Sequence, residues 1–330
     1  MSPLHRPRPS QPQANSGKDM PYSAGLKPLT LVECPRDAMQ GWPHIIPTAQ
    51  KISYLNALLK VGFDTLDFGS FVSARAIPQM ADTAEVLAGL DLQGSAIQKD
   101  RTAPNGRTTR LLAIVANFRG AEEAAAHEAI TYLGFPFSVS ETFQLRNTNK
   151  TIEGSFATVE EIQDLCAKTQ KELVVYLSMG FGNPYGDPWS EEAVFEWAAA
   201  LSRLGVRTLS LADTVGLATP EQVFSLTDYL VRQLPGHTIG VHLHSTHHNR
   251  KAKIDAALQA GCTRFDGALK GIGGCPMAGN ELVGNLDTEW MIDYFRQQQH
   301  LLPGQQQHPL PQLDEEALQE ASRLAAEIFV

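Results

Sequence analysis

Cysteine is scarce in this chain of 330 residues: Cys34, Cys166, Cys262 and Cys275 are all there are. No pair falls in a CxxC or zinc-knuckle spacing, so the sequence offers no thiolate zinc site. With 43% apolar residues the chain can bury a full core without disulfides. Free thiols and a reducing compartment, the cytoplasm, are therefore expected. Long apolar runs are also missing. None approaches the ~20 residues of a helical membrane span, so no membrane association is expected. Basic clusters are lacking at a formal charge of −9, which argues against a nucleic-acid partner. Acidic residues are absent before Asp19, and Arg6 and Arg8 lie in that stretch, a faint trace of a transit peptide. Pro3, Pro7, Pro9 and Pro12 would break the helix such a peptide forms, so residues 1–28 are expected to be a disordered tail.

What is present is a rhythm: an amphipathic helix, a glycine, a short apolar strand, a polar loop. Ile52, Leu55, Leu58 and Leu59 make one helical stripe after Thr48, a predicted N-cap, and Gly62 closes it before a strand over Phe63–Phe68. Val194, Trp197, Leu201 and Leu204 repeat the stripe after Ser190, ahead of a strand over Val206–Ala212. Thr219, Pro220 and Gln222 form a capping box with an N1 proline, leading to a strand over Thr238–Leu243. A fourth helix is expected from about Lys251 to Gly261, followed by a strand over Thr263–Leu269. Thr158 and Glu161 predict another helix start before a strand at Glu172–Leu177. Leu29–Glu33, Leu111–Ala116 and a stretch within Thr131–Ser140 complete about eight strands. Strands alternating with helices signify a parallel sheet, and eight such units close into an α/β TIM (β/α)8 barrel. The runner-up, an open doubly wound sheet, lacks its glycine-rich first turn: Leu29–Glu33 is followed by CPRDAMQG, not GxGxxG. The expected layout is a barrel over 29–300, then a linker and short C-terminal helical extension over 301–330.

Barrel chemistry sits where strands end. Those ends carry Arg36 and Asp37, Asp67 and Ser70, Ser178, Asp213, His242 and His244, and then the GIGGCPMAG loop with Asn285 beyond. His242 and His244, two apart on a strand, point the same way and can reach one ion; alone they more often mark a pair of satisfied core histidines or a surface pair. With Asp37 and Asn285 they make a nitrogen–oxygen set suited to Mg²⁺ or Mn²⁺. Arg36 could clamp a developing enolate oxygen or simply form a rim salt bridge. Cys275, set among Gly271, Gly273, Gly274 and Gly279, could serve as an acid or base on a mobile loop, or be a small buried hydrophobe.

Several longer motifs carry a family resemblance: ECPRDAMQG at 33–41, FGSFVS at 68–73, IPQMADTAEV at 77–86, SMGFGNPYGDPW at 178–189, LADTVG at 211–216, VHLH at 241–244 and GGCPMAG at 273–279. Over residues 29–300 the chain resembles the 3-hydroxy-3-methylglutaryl-CoA lyases, of a bacterial-type branch, within the metal-dependent lyase and Claisen-synthase barrels. The resemblance implies cleavage of the acyl-CoA to acetyl-CoA and acetoacetate, as in leucine degradation. It implies a metal on Asp37, His242, His244 and Asn285, with Arg36, Asp37, His242, Cys275, Asp67 and Asp213 in the catalytic set. Arg36, Gln40, Ser178 and Gly274 would meet the substrate, and a homodimer is expected. Asp67 stands where better-known members carry glutamate, and Ser245 where aspartate is usual. A larger 3-hydroxy-3-methyl acyl-CoA, or the reverse Claisen synthesis, is the alternative activity.

Overall fold

The computed structural model describes residues 27–92, 109–274, 283–301 and 308–329. Eight parallel strands close into one barrel in sequence order: β1 (Thr30–Glu33), β2 (Thr65–Ser70), β3 (Arg110–Ile114), β4 (Ile130–Ser138), β5 (Glu172–Ser178), β6 (Thr208–Asp213), β7 (Thr238–Leu243) and β8 (Arg264–Gly267). Closure comes from β1 pairing with β8, Thr30 against Arg264 through Glu33 against Gly267. The expected TIM barrel is therefore the fold.

Around it lie α1 (Pro35–Gln40), α2 (Thr48–Val61), α3 (Thr83–Ala88), α4 (Phe118–Ala125), α5 (Glu141–Thr148), α6 (Ile152–Thr169), α7 (Glu191–Arg203), α8 (Pro220–Gln233), α9 (Arg250–Gln259), α10 (Thr288–Leu301) and α11 (Glu315–Ile328). Local chemistry sets their starts. Ser190 accepts the Ala193 N–H, and the Thr219–Gln222 capping box is formed in both directions. Gly62, with φ of 87°, ends α2 in the left-handed region. Two expected caps differ. Thr48 is the first helical residue behind Pro47, and its hydroxyl goes to Asp82. Thr158 lies inside α6, which Thr151 caps; the Thr158 hydroxyl instead donates to the Gly154 carbonyl one turn back. The last strand is shorter than expected because the chain turns at Leu269–Gly271, where Lys270 adopts φ of 64°.

The core fills the space between barrel and helices: Phe63, Leu111, Phe135, Leu177, Leu211 and Phe265 are all buried on it. No described helix is long and apolar enough to cross a membrane. Most of the expected tail lies outside the described residues.

Two features fix the barrel mouth. Glu33 is fully buried at the end of β1; it accepts the Leu269 N–H at 2.8 Å and the Thr288 hydroxyl at 2.6 Å. One carboxyl thus holds both stems of the segment joining β8 to α10. The second feature is α11, which packs against α2. Ala321 and Ala325 are buried on that contact, and Phe329 meets Trp42 and Tyr54 edge-on at 5.3 and 6.2 Å. Such close helix contact tolerates no added volume, so Ala325→Leu should lower the unfolding free energy by about 1–3 kcal/mol. Urea unfolding checks this; an unchanged midpoint would mean that α11 is not closely docked.

Candidate active site and metal centre

A cavity of about 450 Å³ opens where the strands end, bordered by Arg36, Asp37, Gln40, Ser178, His242 and His244. Ile114, Pro136, Phe143 and Tyr176 give it an apolar wall. The first three polar residues come from α1, which starts directly after β1 with Pro35 at its first position. No helix is assigned here from the sequence, because six residues are too few to show a helical stripe.

Arg36 is buried and held from two directions. Asp67 on β2 receives its Nε at 3.1 Å and its Nη2 at 2.6 Å. From its own helix, Asp37 and Gln40 receive Nη1 at 3.0 and 2.8 Å. Nε, both Nη1 hydrogens and one on Nη2 are thus engaged, and among the described residues nothing accepts the second Nη2 hydrogen, which leaves it for a group in the cavity. Burial pushes the Asp67 carboxyl up to about 6, although the guanidinium opposes the shift. Asp67 sits below Arg36 and outside the cavity lining.

Asp37 faces the cavity. Burial alone would raise its pKa, but Arg36, then His242 and His244, outweigh that and hold it near 2. Its Oδ1 also accepts from Gln40 at 2.8 Å, and its Oδ2 accepts from Asn285 Nδ2 at 2.8 Å. His242 Nε2 lies 4.0 Å from that same Oδ2. His244 follows β7 directly, its ring 5.4 Å from that of His242. Ligand atoms of Asp37, His242 and His244 all lie within 4.8 Å of one another. The electrostatics fit a cation: Asp37 is ionised, and burial and His242 push His244 down to about 4, leaving its imidazole neutral with a lone pair to give. Burial would lower His242 too, but Asp266 and Asp37 raise it overall.

A second grouping joins His242 to Cys34 and Asp266 inside the barrel. Burial holds the Cys34 thiol far above its ordinary range, so it stays protonated and a poor ligand. The cavity-facing group is the better metal centre.

The other sequence-predicted residues are placed as follows. Asn285 donates to Asp37 and to the Ile272 carbonyl at 2.9 Å; service as an oxygen ligand requires the amide turned the other way. Gly273, at φ of 115°, runs so close to Asn285, Ala38 and the Asp37 carbonyl that no side chain fits there. Gly274 follows it, buried at φ of 133°. Cys275 lies outside the described residues. Asp213 is buried but turned from the cavity: its Oδ2 accepts from Lys253 Nζ at 2.7 Å and its Oδ1 from the Ala218 N–H at 3.0 Å. Lys253 also donates to the His244 carbonyl at 2.8 Å, so this pair braces the end of β7. Cys34, Cys166 and Cys262 are free and buried.

Sequence reasoning missed Lys253, Asp266 and, on α5, Phe143; Arg146 of that helix is, with Arg119 and Lys150, a weak candidate in the sequence for a phosphate of the substrate. Asp266 had a signal: in Arg-Phe-Asp of β8 the charged residues alternate with Phe265, which packs on Phe295, so both face inward. Phe143 and Arg146 on α5 border the cavity, and Arg146 lies 4.6 Å over the Tyr185 ring.

The fold and the site define a (β/α)8 barrel with a carboxylate–imidazole centre and a buried arginine at its catalytic end. Residues 31–324 match the HMGL-like family, and the chain belongs to it. It is 33% identical to the Bacillus subtilis hydroxymethylglutaryl-CoA lyase YngG, over 84% of this chain and 87% of that protein. It is 31% identical to the Chloroflexus aurantiacus (R)-citramalyl-CoA lyase, over 82% and 84%. An Acinetobacter baumannii HMG-CoA lyase, solved with coenzyme A and 3-methylmalate, superposes with a TM-score of 0.79 at 30% identity, covering 92% of this chain and 91% of that one.

Because Asp37 titrates lower in the folded state, its contribution to stability is complete above the ordinary carboxylate pKa of about 4 and is lost as pH falls to about 2. Thermal melts from pH 5 to pH 2 should show that loss in the native chain and a smaller one in Asp37→Asn. Parallel curves would overturn the assignment.

Proposed function

We propose that this chain cleaves (S)-3-hydroxy-3-methylglutaryl-CoA to acetyl-CoA and acetoacetate with a bound divalent cation, Mg²⁺ or Mn²⁺. The Asp37–His242–His244 cluster beside the unspent Arg36 N–H carries the reading; the named lyases among its relatives support it. Asp37, His242 and His244 hold the cation, with Asn285 alongside. When bound, the cation acts as a Lewis acid that lowers the pKa of the substrate's tertiary alcohol.

The protein's own groups do the rest. The hydroxyl proton passes to a base in the cavity, Asp37 or His242; the new carbonyl forms as the C–C bond breaks, and the electron pair of that bond passes into the thioester enolate. The second Nη2 hydrogen of Arg36 meets that enolate oxygen. Asp67 and Gln40 keep the guanidinium from swinging toward Asp37 alone. Gln40 and Ser178 border the acyl end, where the resemblance also brings Gly274, and the apolar wall keeps bulk water from the enolate. Asp213 acts through Lys253, bracing the His244 backbone. Protonation of the enolate is the role the resemblance gives Cys275. Arg146 at the rim is placed to meet a coenzyme A phosphate. The enzyme works in the cytoplasm as a homodimer.

The apolar wall and the citramalyl-CoA lyase relative favour one second reading, a different acyl substituent on the same thioester. Comparing kcat/KM across 3-hydroxyacyl-CoA thioesters separates the two.

Acetoacetate release should require added Mg²⁺ or Mn²⁺ and stop in chelator; release unaffected by chelator would defeat the metal reading. Arg36→Gln should lower kcat by about 10²–10³-fold, the usual effect of losing one oxyanion donor. A change under roughly threefold would remove Arg36 from the chemistry.

A further inference from the structure

We propose that Asp266 is a positioning residue: its carboxylate accepts a hydrogen bond from the Nδ1–H of His242 and so keeps the Nε2 lone pair directed at Asp37 and the cavity. The inference rests on His242 serving as a ligand. The two residues stand side by side in register on β7 and β8. Alternation along β8 sends Phe265 outward and Asp266 into the barrel, where its side chain is fully shielded from solvent. Asp266 Oδ2 lies 3.4 Å from His242 Nδ1, and among the described residues neither atom has any other hydrogen-bond partner. Two buried polar atoms that face only each other are strongly driven to pair.

Asp266 is itself fixed. Its Oδ1 receives Arg264 Nη1 at 2.6 Å, and Arg264 borders a second, polar cavity of about 360 Å³ among the strand starts. On the other side of the imidazole, Tyr176 meets the ring edge-on at 5.8 Å. The Asp266 carboxylate, itself held by Arg264, and the Tyr176 ring therefore both bear on the imidazole. A carboxylate behind a ligating histidine fixes its tautomer and raises its basicity toward the metal. The competing account is that Asp266 only balances the buried charge of Arg264.

Two measurements on the full chain decide between them. The first uses ¹⁵N-histidine-labelled, metal-free protein at about pH 9, above the ordinary histidine range. Nitrogen shifts should show a ring protonated at Nδ1 with a free Nε2, assigned to His242 by its loss in His242→Gln. A His242 protonated at Nε2 overturns the proposal, and no variant at Asp266 is needed to see it. The second is Mn²⁺ binding followed by electron paramagnetic resonance. Asp266→Ala should weaken it about 10–100-fold. The double variant Arg264→Met/Asp266→Leu, which leaves no buried charge unpaired, should show the same loss. Mn²⁺ affinity within about twofold of the native chain in a folded variant would leave Asp266 as a partner of Arg264 alone. Neither readout depends on acetoacetate release, so failure here is distinct from failure of the lyase reading.

Discussion

Between Asp37 and Asp67 at the barrel mouth lies a single guanidinium, and the site's geometry is built on that arrangement. Two carboxylates this deeply buried cannot both ionise unless a fixed cation stands between them. Arg36 does so with planar geometry: one edge grips Asp67 on β2, the other grips Asp37 and Gln40 on α1. A lysine, with one point charge on a flexible stem, could not span both partners. The result is asymmetric. Asp37, with the guanidinium and two imidazoles around it, is held near 2; Asp67, with less help against burial, rises to about 6. One carboxylate is thereby kept charged for a cation, while the other anchors the arginine.

The same economy recurs deeper in the barrel. Lys253 joins Asp213 to the His244 backbone, and Arg264 joins Asp266 to the region behind His242. Each histidine of the candidate centre therefore rests on a buried ion pair, one acting on the main chain and one on the ring. These pairs are poor sources of net stability, since desolvation offsets their attraction. Their value lies in orientation.

Much of this architecture was legible in the sequence. The strand–helix rhythm gave eight strands because each helix presents an apolar stripe and each strand an unbroken apolar run; β7 matches its predicted bounds. The serine and threonine caps at 190 and 219 read correctly because capping is local chemistry. Thr158 misled for the same reason: its pattern is that of a cap, but Thr151 lies closer to the true start. What sequence could not show is long-range. Lys253 stands in a helix rich in lysine, where it reads as solvated, yet it is fully buried because Asp213 and a carbonyl await it forty and nine residues away. Asp67 looked like a strand-end acid; only the fold shows that it lies beneath Arg36 rather than beside the substrate.

The Glu33 clamp bears on the length of chain the barrel mouth can carry. The chain leaves β8 and returns to α10 through stems tied to the same carboxyl, and the returning stem is further laced to β7 through the Leu286 and Ser245 amides. Closing a somewhat longer excursion between fixed ends costs little entropy. Residues 269 and 288 thus stay pinned to the barrel at one carboxyl whatever the length of chain between them, and a change at Glu33 would release both ends at once.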